Sequence, residues 1–418
     1  MSASGHLFFL LKMRSLQITL LSFIICSGCF HPLHSQKKWS LEECINFAHK
    51  NNLDILQQEL AVKQQKTATL RYAGEYIPTL NILLDRENFT IQSNLTIFAG
   101  LQRYNNIRYG RTGVEISEQQ RENLKMELSI AITKVFLQLL LDKELLDVAK
   151  RSYQTTSDQL QRTKLFVQEG RQSYSTLLDI ESHLAGEMVQ ITNCQNNIKK
   201  STLELTQLMN IEYCDTLIIA PPVFIFDPLS FTSASLESIY SNALNLPSIK
   251  AAELLHKQGR YKLAATIGAA TPTFSLFANY NSFYKTDSEP LKIYGFELKI
   301  PILNNYTHGA AISRAKLDYK YAEVELEKEK QQLYKDIQAD LFEARALYQK
   351  YTAAQKALIA MEESFRYCEE KFNAGILSST DYNTQKSNLL KMNSEVLQSK
   401  HQFFFQLKIL EFYGYKAL

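Results

Sequence analysis

Phe372-Asn373-Ala374-Gly375-Ile376-Leu377-Ser378 interrupts a stretch of sequence that otherwise reads as unbroken helix. A glycine just past a helix end takes the left-handed conformation that closes the helix, and a serine soon after it can cap the next one. The spacing therefore predicts a tight turn joining two antiparallel helices, a helical hairpin tip. Gly170-Arg171-Gln172-Ser173 presents the same device 205 residues earlier. Each tip ends a long rod, from about Leu101 to Gln168 and from about Ala310 to Asn373. In the second rod Tyr319, Ala322, Leu326, Leu333, Ile337 and Leu341 recur three, four or seven apart, and Ala344, Tyr348 and Tyr351 extend the series. Glu and Lys fill the intervening positions, so this is one apolar stripe on a polar helix. At about 1.5 Å per residue such a rod is roughly 100 Å long. A compact chain of this length has a radius of gyration of only about 22 Å, so the rods cannot fold into one globule.

Working outward, each half of the chain follows one plan, which makes an internal duplication the main organising feature. Ser40-Leu41-Glu42-Glu43 opens the first half with capping-box spacing, and Ser235-Leu236-Glu237 opens the second. A helix of some thirty-odd residues is expected from each start to a proline, at Tyr76-Ile77-Pro78 and Ala270-Thr271-Pro272, because proline disfavours helix in the residue before it. Extended chain with period-two alternation follows. Thr90, Gln92, Asn94 and Thr96 fall on one face and Ile91, Leu95 and Ile97 on the other; in the second half Tyr294, Phe296, Leu298 and Ile300 oppose Glu297 and Lys299. Turn residues at 85–88 and 286–290 predict one hairpin per half. Return helices run from the tips to Asn210 and to about Gly414. Residues 1–35 read as a leader, 36–210 as the first repeat, 211–234 as a linker marked by Pro221, Pro222 and Pro228, and 235–418 as the second repeat.

In the leader, Lys12 and Arg14 precede the apolar run Leu16 to Phe30, which is too short to span a bilayer and suits a signal-peptide core. Met13 is an alternative start. Two fates of the segment are compatible with its residues: cleavage near Ser35, or lipidation of Cys29 after Cys26-Ser27-Gly28. No later apolar run is long enough for a transmembrane helix, so any membrane crossing must use a barrel. Basic and acidic residues, 46 and 43, are mixed along the chain, which excludes the concentrated basic face of a nucleic-acid binder. Cys44, Cys194, Cys214 and Cys368 lack metal-type spacing, and either isolated thiols or a disulfide would fit them. No histidine pair stands at metal-ligand spacing and no glycine-rich nucleotide loop occurs, so neither an enzyme nor a cofactor nor a metal site is expected.

The order of short helix, proline, hairpin, long helix, glycine tip and return helix, stated twice, resembles the TolC family of outer-membrane efflux proteins. Its most telling stretches are Ser40 to Ile55, Lys299-Ile300-Pro301-Ile302-Leu303-Asn304, and Phe372 through Asp381 to the carboxyl end. Thr96-Ile97-Phe98-Ala99-Gly100 departs from the family, many of whose members have a proline there. The resemblance implies a mainly α fold with a membrane β-barrel: three protomers, a twelve-stranded barrel in the outer membrane and a helical tunnel through the periplasm. It implies a passive duct of a tripartite efflux or secretion system, served by a periplasmic adaptor and an inner-membrane pump of RND or ABC type. The tips carrying Gly170, Ser173, Gly375 and Ser378 are then expected to dock the adaptor. Relatives place an acidic residue six positions after the second tip glycine, and often another three later, so that carboxylates ring the entrance. Here those positions hold Asp381 and Thr384, and the first repeat has Thr176 and Asp179 near the corresponding places. The rival reading is a soluble periplasmic coiled-coil adaptor or scaffold, which would not need hairpins with an apolar face.

Overall fold

The protein is described by a computed structural model covering residues 38–86, 88–213, 217–222, 231, 235–283, 289–302 and 306–415. The leader, Cys26, Cys29 and Cys214 lie outside the described residues. The element order is β1 (Lys38–Trp39), α1 (Leu41–Asn51), α2 (Leu53–Gly74), β2 (Thr79–Leu84), β3 (Asn88–Ala99), α3 (Gln102–Gln168), α4 (Tyr174–Met209), β4 (Ile218–Ile219), α5 (Leu236–Ala243), α6 (Pro247–Gly268), β5 (Thr273–Phe283), β6 (Leu291–Lys299), α7 (Thr307–Asn373) and α8 (Ser379–Phe412). The two rods, α3 and α7, are both 67 residues long. Among the described residues no helix is long and apolar enough to cross a membrane.

The single thirty-odd-residue helix expected at the start of each half is in fact two. Asn52 ends α1 and caps α2 with its side chain, accepting from the Asp54 and Ile55 amides, and an extended residue at that position breaks the helical path. In the second half Pro247 sits at the first turn of α6, where its missing N–H costs nothing, and Leu246 before it is forced out of the helical region. The Ser40–Glu43 capping box is formed in both directions. Within the 211–234 linker the described residues include β4, which pairs in parallel with β1.

Helices α2, α3, α6 and α7 lie side by side in that order, and α4 and α8 pack back along their rods below them. Two apolar cores sit where the short helices meet the rods. One gathers Cys44, Ala48, Ile132, Phe136, Leu139, Leu205 and Met209; the other gathers Phe231, Ile239, Ile249, Ile337, Leu341, Phe403 and Leu410. Of the stripe read from the sequence, Leu326, Leu333, Ile337, Leu341 and Ala344 are buried. Cys44, Cys194 and Cys368 are buried and lie in separate places.

The four long strands form one antiparallel sheet in the order β2-β3-β5-β6. Residues directly opposite in an antiparallel pair share a face. The register Ile82↔Ile91↔Tyr280, Leu95↔Leu276↔Phe296 and Phe98↔Phe274↔Leu298 therefore assembles one apolar face, while Thr90, Gln92, Asn94, Ser275 and Asn279 line the other. The apolar face is uncovered: Tyr294 is 83% exposed and Phe296 71%. A bulge between Thr96 and Phe98 inserts Ile97 as an extra residue at the end of β3, the stretch that lacks the proline expected from the resemblance. Ile300 follows the last residue of β6 rather than extending the strand.

Gly100 turns the chain from β3 into α3 at φ +53°, and a Cβ there would overlap the Thr271 side chain and come 2.7 Å from the Gly268 carbonyl oxygen. Gly186, in the middle of α4, has nothing within 4 Å of a built Cβ. Gly100→Ala is expected to lower stability by more than about 1 kcal/mol, and Gly186→Ala to raise it by about 0.5–1 kcal/mol. Thermal unfolding followed by circular dichroism checks the opposite signs.

Candidate functional site

Both rods end in a Schellman turn. The Gly170 and Gly375 amides donate to Val167 and Phe372, and the next amides, Arg171 and Ile376, donate back to Phe166 and Lys371. Both glycines have φ +72°. Ser173 and Ser378 then cap the return helices by accepting from the Thr176 and Asp381 amides, at 3.3 and 3.1 Å. The Arg171 guanidinium covers the Phe166 ring at 4.7 Å in the first tip, whereas Ile376 is exposed in the second.

Asp381 stands in the first turn of α8, exposed, with its carboxylate accepting from the Ser378 hydroxyl at 2.7 Å. Thr384 is exposed one turn on, and its hydroxyl donates to the Thr380 carbonyl. These two side chains share the solvent side of α8, opposite buried Tyr382, Asn383 and Lys386. Asp179 is placed differently from Asp381. Its carboxylate accepts from the Ser379 hydroxyl at 3.2 Å and so ties the first return helix to the second.

The sequence offered no sign of what holds α8 in place. Tyr382 is buried in a stack with Phe372, ring centroids 4.5 Å apart, and burial pushes its hydroxyl up to about 12. Lys386 reaches between α3 and α4, donating to the Ser152 carbonyl at 3.0 Å, the Glu187 carboxylate at 3.0 Å and the Thr156 hydroxyl. The Ser152 and Thr156 hydroxyls also donate to Glu187, each at 2.7 Å. Burial lowers the Lys386 ammonium below its ordinary value even though Glu187 opposes the shift. Higher on the same helix, buried His401 meets Glu144 of α3 at 3.1 Å through Nε2, and Lys400 lies 3.9 Å from the same carboxylate. Thus α8 is fastened across the repeats by three polar ties at successive heights. Among the described residues no group of three His, Cys, Asp or Glu is positioned to hold a metal.

Residues 239–404 match the model of the outer membrane efflux protein family. The fold is similar to that of the CmeC outer membrane channel of Campylobacter jejuni, at 16% identity and a TM-score of 0.77, over 90% of this chain and 85% of that one. It is equally similar to the outer membrane protein VceC of Vibrio cholerae, at 12% identity and a TM-score of 0.77, over 90% and 97%. The chain carries an outer membrane efflux protein domain on a TolC-like fold. It is also 23% identical over 289 residues to toxin and drug export protein A of Aggregatibacter actinomycetemcomitans, a stretch covering 68% of this chain and 62% of that protein. The efflux-protein match takes in α6, β5, β6, α7 and most of α8, and so includes Asp381, Lys386 and His401.

In this efflux-protein domain the His401 ring has a buried Nδ1 without a hydrogen-bond partner. Burial pushes the pKa of His401 below its ordinary 6.5, and Glu144 only partly offsets this. The neutral ring is therefore the folded form. Below about pH 6.5 the unfolded chain binds a proton that the folded chain refuses, so stability is full above that pH and falls as pH drops toward the folded pKa. Unfolding temperatures of wild type and His401→Gln, compared from pH 7.5 to 5.5, are expected to converge as the wild type loses its advantage.

Proposed function

We propose that this chain is the outer-membrane duct of a tripartite efflux or secretion system, a passive channel through the outer membrane with a periplasmic extension. The observation that carries the reading is the open four-stranded sheet, apolar on one face, held at the end of two 67-residue helices. Its edges, β2 and β6, run in opposite directions and neither has an outer partner among the described residues. Edge β6 of one copy can pair antiparallel with edge β2 of the next, and repetition closes a ring without free edges. Three copies give twelve strands, an even number within the range of membrane barrels. Lipid then covers the apolar face, and the layer of α2, α3, α6 and α7 closes into a tunnel at the same time. A soluble coiled-coil scaffold has no use for such a sheet.

In this duct the tips at Gly170, Ser173, Gly375 and Ser378 dock a periplasmic adaptor, being the turns at the far ends of the rods. An inner-membrane pump of RND or ABC type supplies the energy. Asp381 and Thr384 form the entrance ring, supported by their exposed position on the solvent side of α8 and by the fixed rotamer that Ser378 imposes on the carboxylate. Three converging carboxylates repel one another and attract cations.

Light scattering on the detergent-solubilised protein is expected to give a protein mass of three chains; a stable folded monomer would overturn the barrel. In planar bilayers Asp381→Ala is expected to weaken divalent block and cation preference. Asp179→Ala, which removes a tie between helices, is expected to do less. Equal effects would place the entrance ring elsewhere.

A further inference from the structure

Four helix ends meet the same end of the sheet, and their charge is one-sided. The last three turns of α2 hold Lys63, Lys66 and Arg71, and the first three of α3 hold Arg103, Arg108 and Arg111. The last three turns of α6 add Lys257, Arg260 and Lys262, and the first three of α7 add Arg314 and Lys316. The acidic residues in this band are Glu75, just past α2, and Asp318, as far into α7 as Lys63 and Lys257 are from the ends of their helices, although the whole chain carries a net charge of only +3. Asp318 pairs with Lys262, and carboxylates further down the helices pair with two more lysines, as Lys66–Glu118 and Lys257–Glu115. Among the described residues Lys63, Arg71, Arg111, Arg260 and Lys316 have no such partner, and Arg314 acts on Asp318 through space only.

A second observation lies at the junction itself. Leu101 and Tyr306 occupy equivalent places at the starts of α3 and α7, both at φ +62°, where a large side chain is strained. Both point into open space, Leu101 at 64% and Tyr306 at 79% exposure, and Ile77 and Ile302 beside them are also exposed. Repetition of a strained, exposed, bulky residue in both halves has no return in water. Tyrosines are interleaved with the arginines: Arg103 lies over the Tyr76 ring at 5.6 Å, Arg108 over Tyr104 at 5.3 Å and Arg260 over Tyr261 at 5.6 Å. Amphipathic tyrosines, apolar anchors and cations at the rim of an apolar surface match a membrane interface, with oil on one side and anionic headgroups on the other. Three helical turns extend about 16–18 Å from the sheet, within reach of a headgroup layer plus one Debye length of about 8 Å.

We propose that this band is a collar that binds anionic phospholipid headgroups of the periplasmic leaflet, with Leu101 and Tyr306 anchored at the edge of the hydrocarbon. It rests on the reading of the sheet as part of a membrane barrel. In the trimer the collar repeats three times around the duct and fixes its height in the bilayer.

The test uses the full chain purified in detergent and exchanged into mixed micelles of phosphatidylglycerol and phosphatidylcholine, with bound lipid counted by native mass spectrometry. Wild type is expected to retain phosphatidylglycerol in preference by about tenfold or more, and 0.5 M salt to weaken the preference. The combined variant Arg71→Gln, Arg111→Gln, Arg260→Gln, Arg314→Gln is expected to fall below about twofold, whereas Lys at the same four positions restores it. A charge-matched control, Lys199→Gln, Lys200→Gln, Lys356→Gln, Lys391→Gln, removes four cations outside the collar and is expected to keep the preference. A Gln variant that keeps the preference, or a control that loses it equally, overturns the proposal. So does a Gln variant that alters ion selectivity of the reconstituted pore while lipid retention is unchanged, because the charges would then face the lumen and an anionic cargo. Recovery of the wild-type chain in a detergent-free soluble fraction would instead count against the barrel itself.

Discussion

Unpaired backbone groups along β2 and β6 are the constraint on which the rest of the architecture depends. A strand edge in hydrocarbon leaves each free N–H and C=O unsatisfied at a cost of several kcal/mol, so an apolar sheet of four strands cannot enter a membrane alone. Its edges must meet other edges. The antiparallel alternation from β2 to β6 leaves the two edges opposed in direction, which makes them complementary between copies. In the proposed barrel the number of copies that edge pairing selects would also set the number of helices side by side beneath, because α2 and α6 lead into β2 and β5 while β3 and β6 lead into α3 and α7. The bulge at Ile97 and the left-handed residues Gly100 and Leu101 lie at one of these handovers, where strands spaced about 4.8 Å apart must feed helices spaced 8–10 Å apart.

Below the sheet, apolar burial and polar ties divide the work. The two buried clusters around Phe136 and Ile337 hold the short helices to the rods near mid-height. Toward the tips the contacts of α8 with α3 and α4 become ionic and hydrogen-bonded, through His401, Lys386 and Ser379. Breaking a buried ion pair by removing one partner typically costs about 3–5 kcal/mol, yet the intact pair contributes far less net stability because both charges were desolvated. The Lys386–Glu187 tie is therefore specific in geometry and modest in strength, while the apolar clusters are strong and indifferent to exact position.

How much of this was legible in the sequence follows from the range of each signal. The rods, the tips and the sheet faces rest on local patterns: a 3.6-residue stripe, a glycine followed by a serine, an alternation of two. The helix break at Asn52 was written equally locally, in Asn52-Leu53-Asp54, but a long polar helix tolerates asparagine and the cap was read through. Pro247 is an equally local first-turn signal, and the expectation of one helix from Ser235 to Pro272 left it unused. Adjacent apolar residues Ile97 and Phe98 broke the period of two, which is what a bulge does to a strand. The polar ties left no such trace. Lys386 lies 199 residues from Glu187, and in a helix rich in Lys and Glu each reads as a solvated charge.

Net charge hid the collar in a different way. A chain with 46 basic and 43 acidic residues reads as evenly mixed when only neighbours along the sequence are compared, since no basic run interrupts it. Duplication spreads the collar over four separate stretches, each holding two or three cations in three turns, a density that is ordinary for a surface helix. The topology brings the four together at one end of one sheet, and only there does the scarcity of acids in the four become a single fact. The carboxylates that balance them are Asp318 at the lower limit of the collar and Glu115 and Glu118 further from the sheet, and all three are already engaged with lysines. Charge is therefore segregated along the axis of the rods, with the cationic level next to the end of the sheet whose apolar face is uncovered.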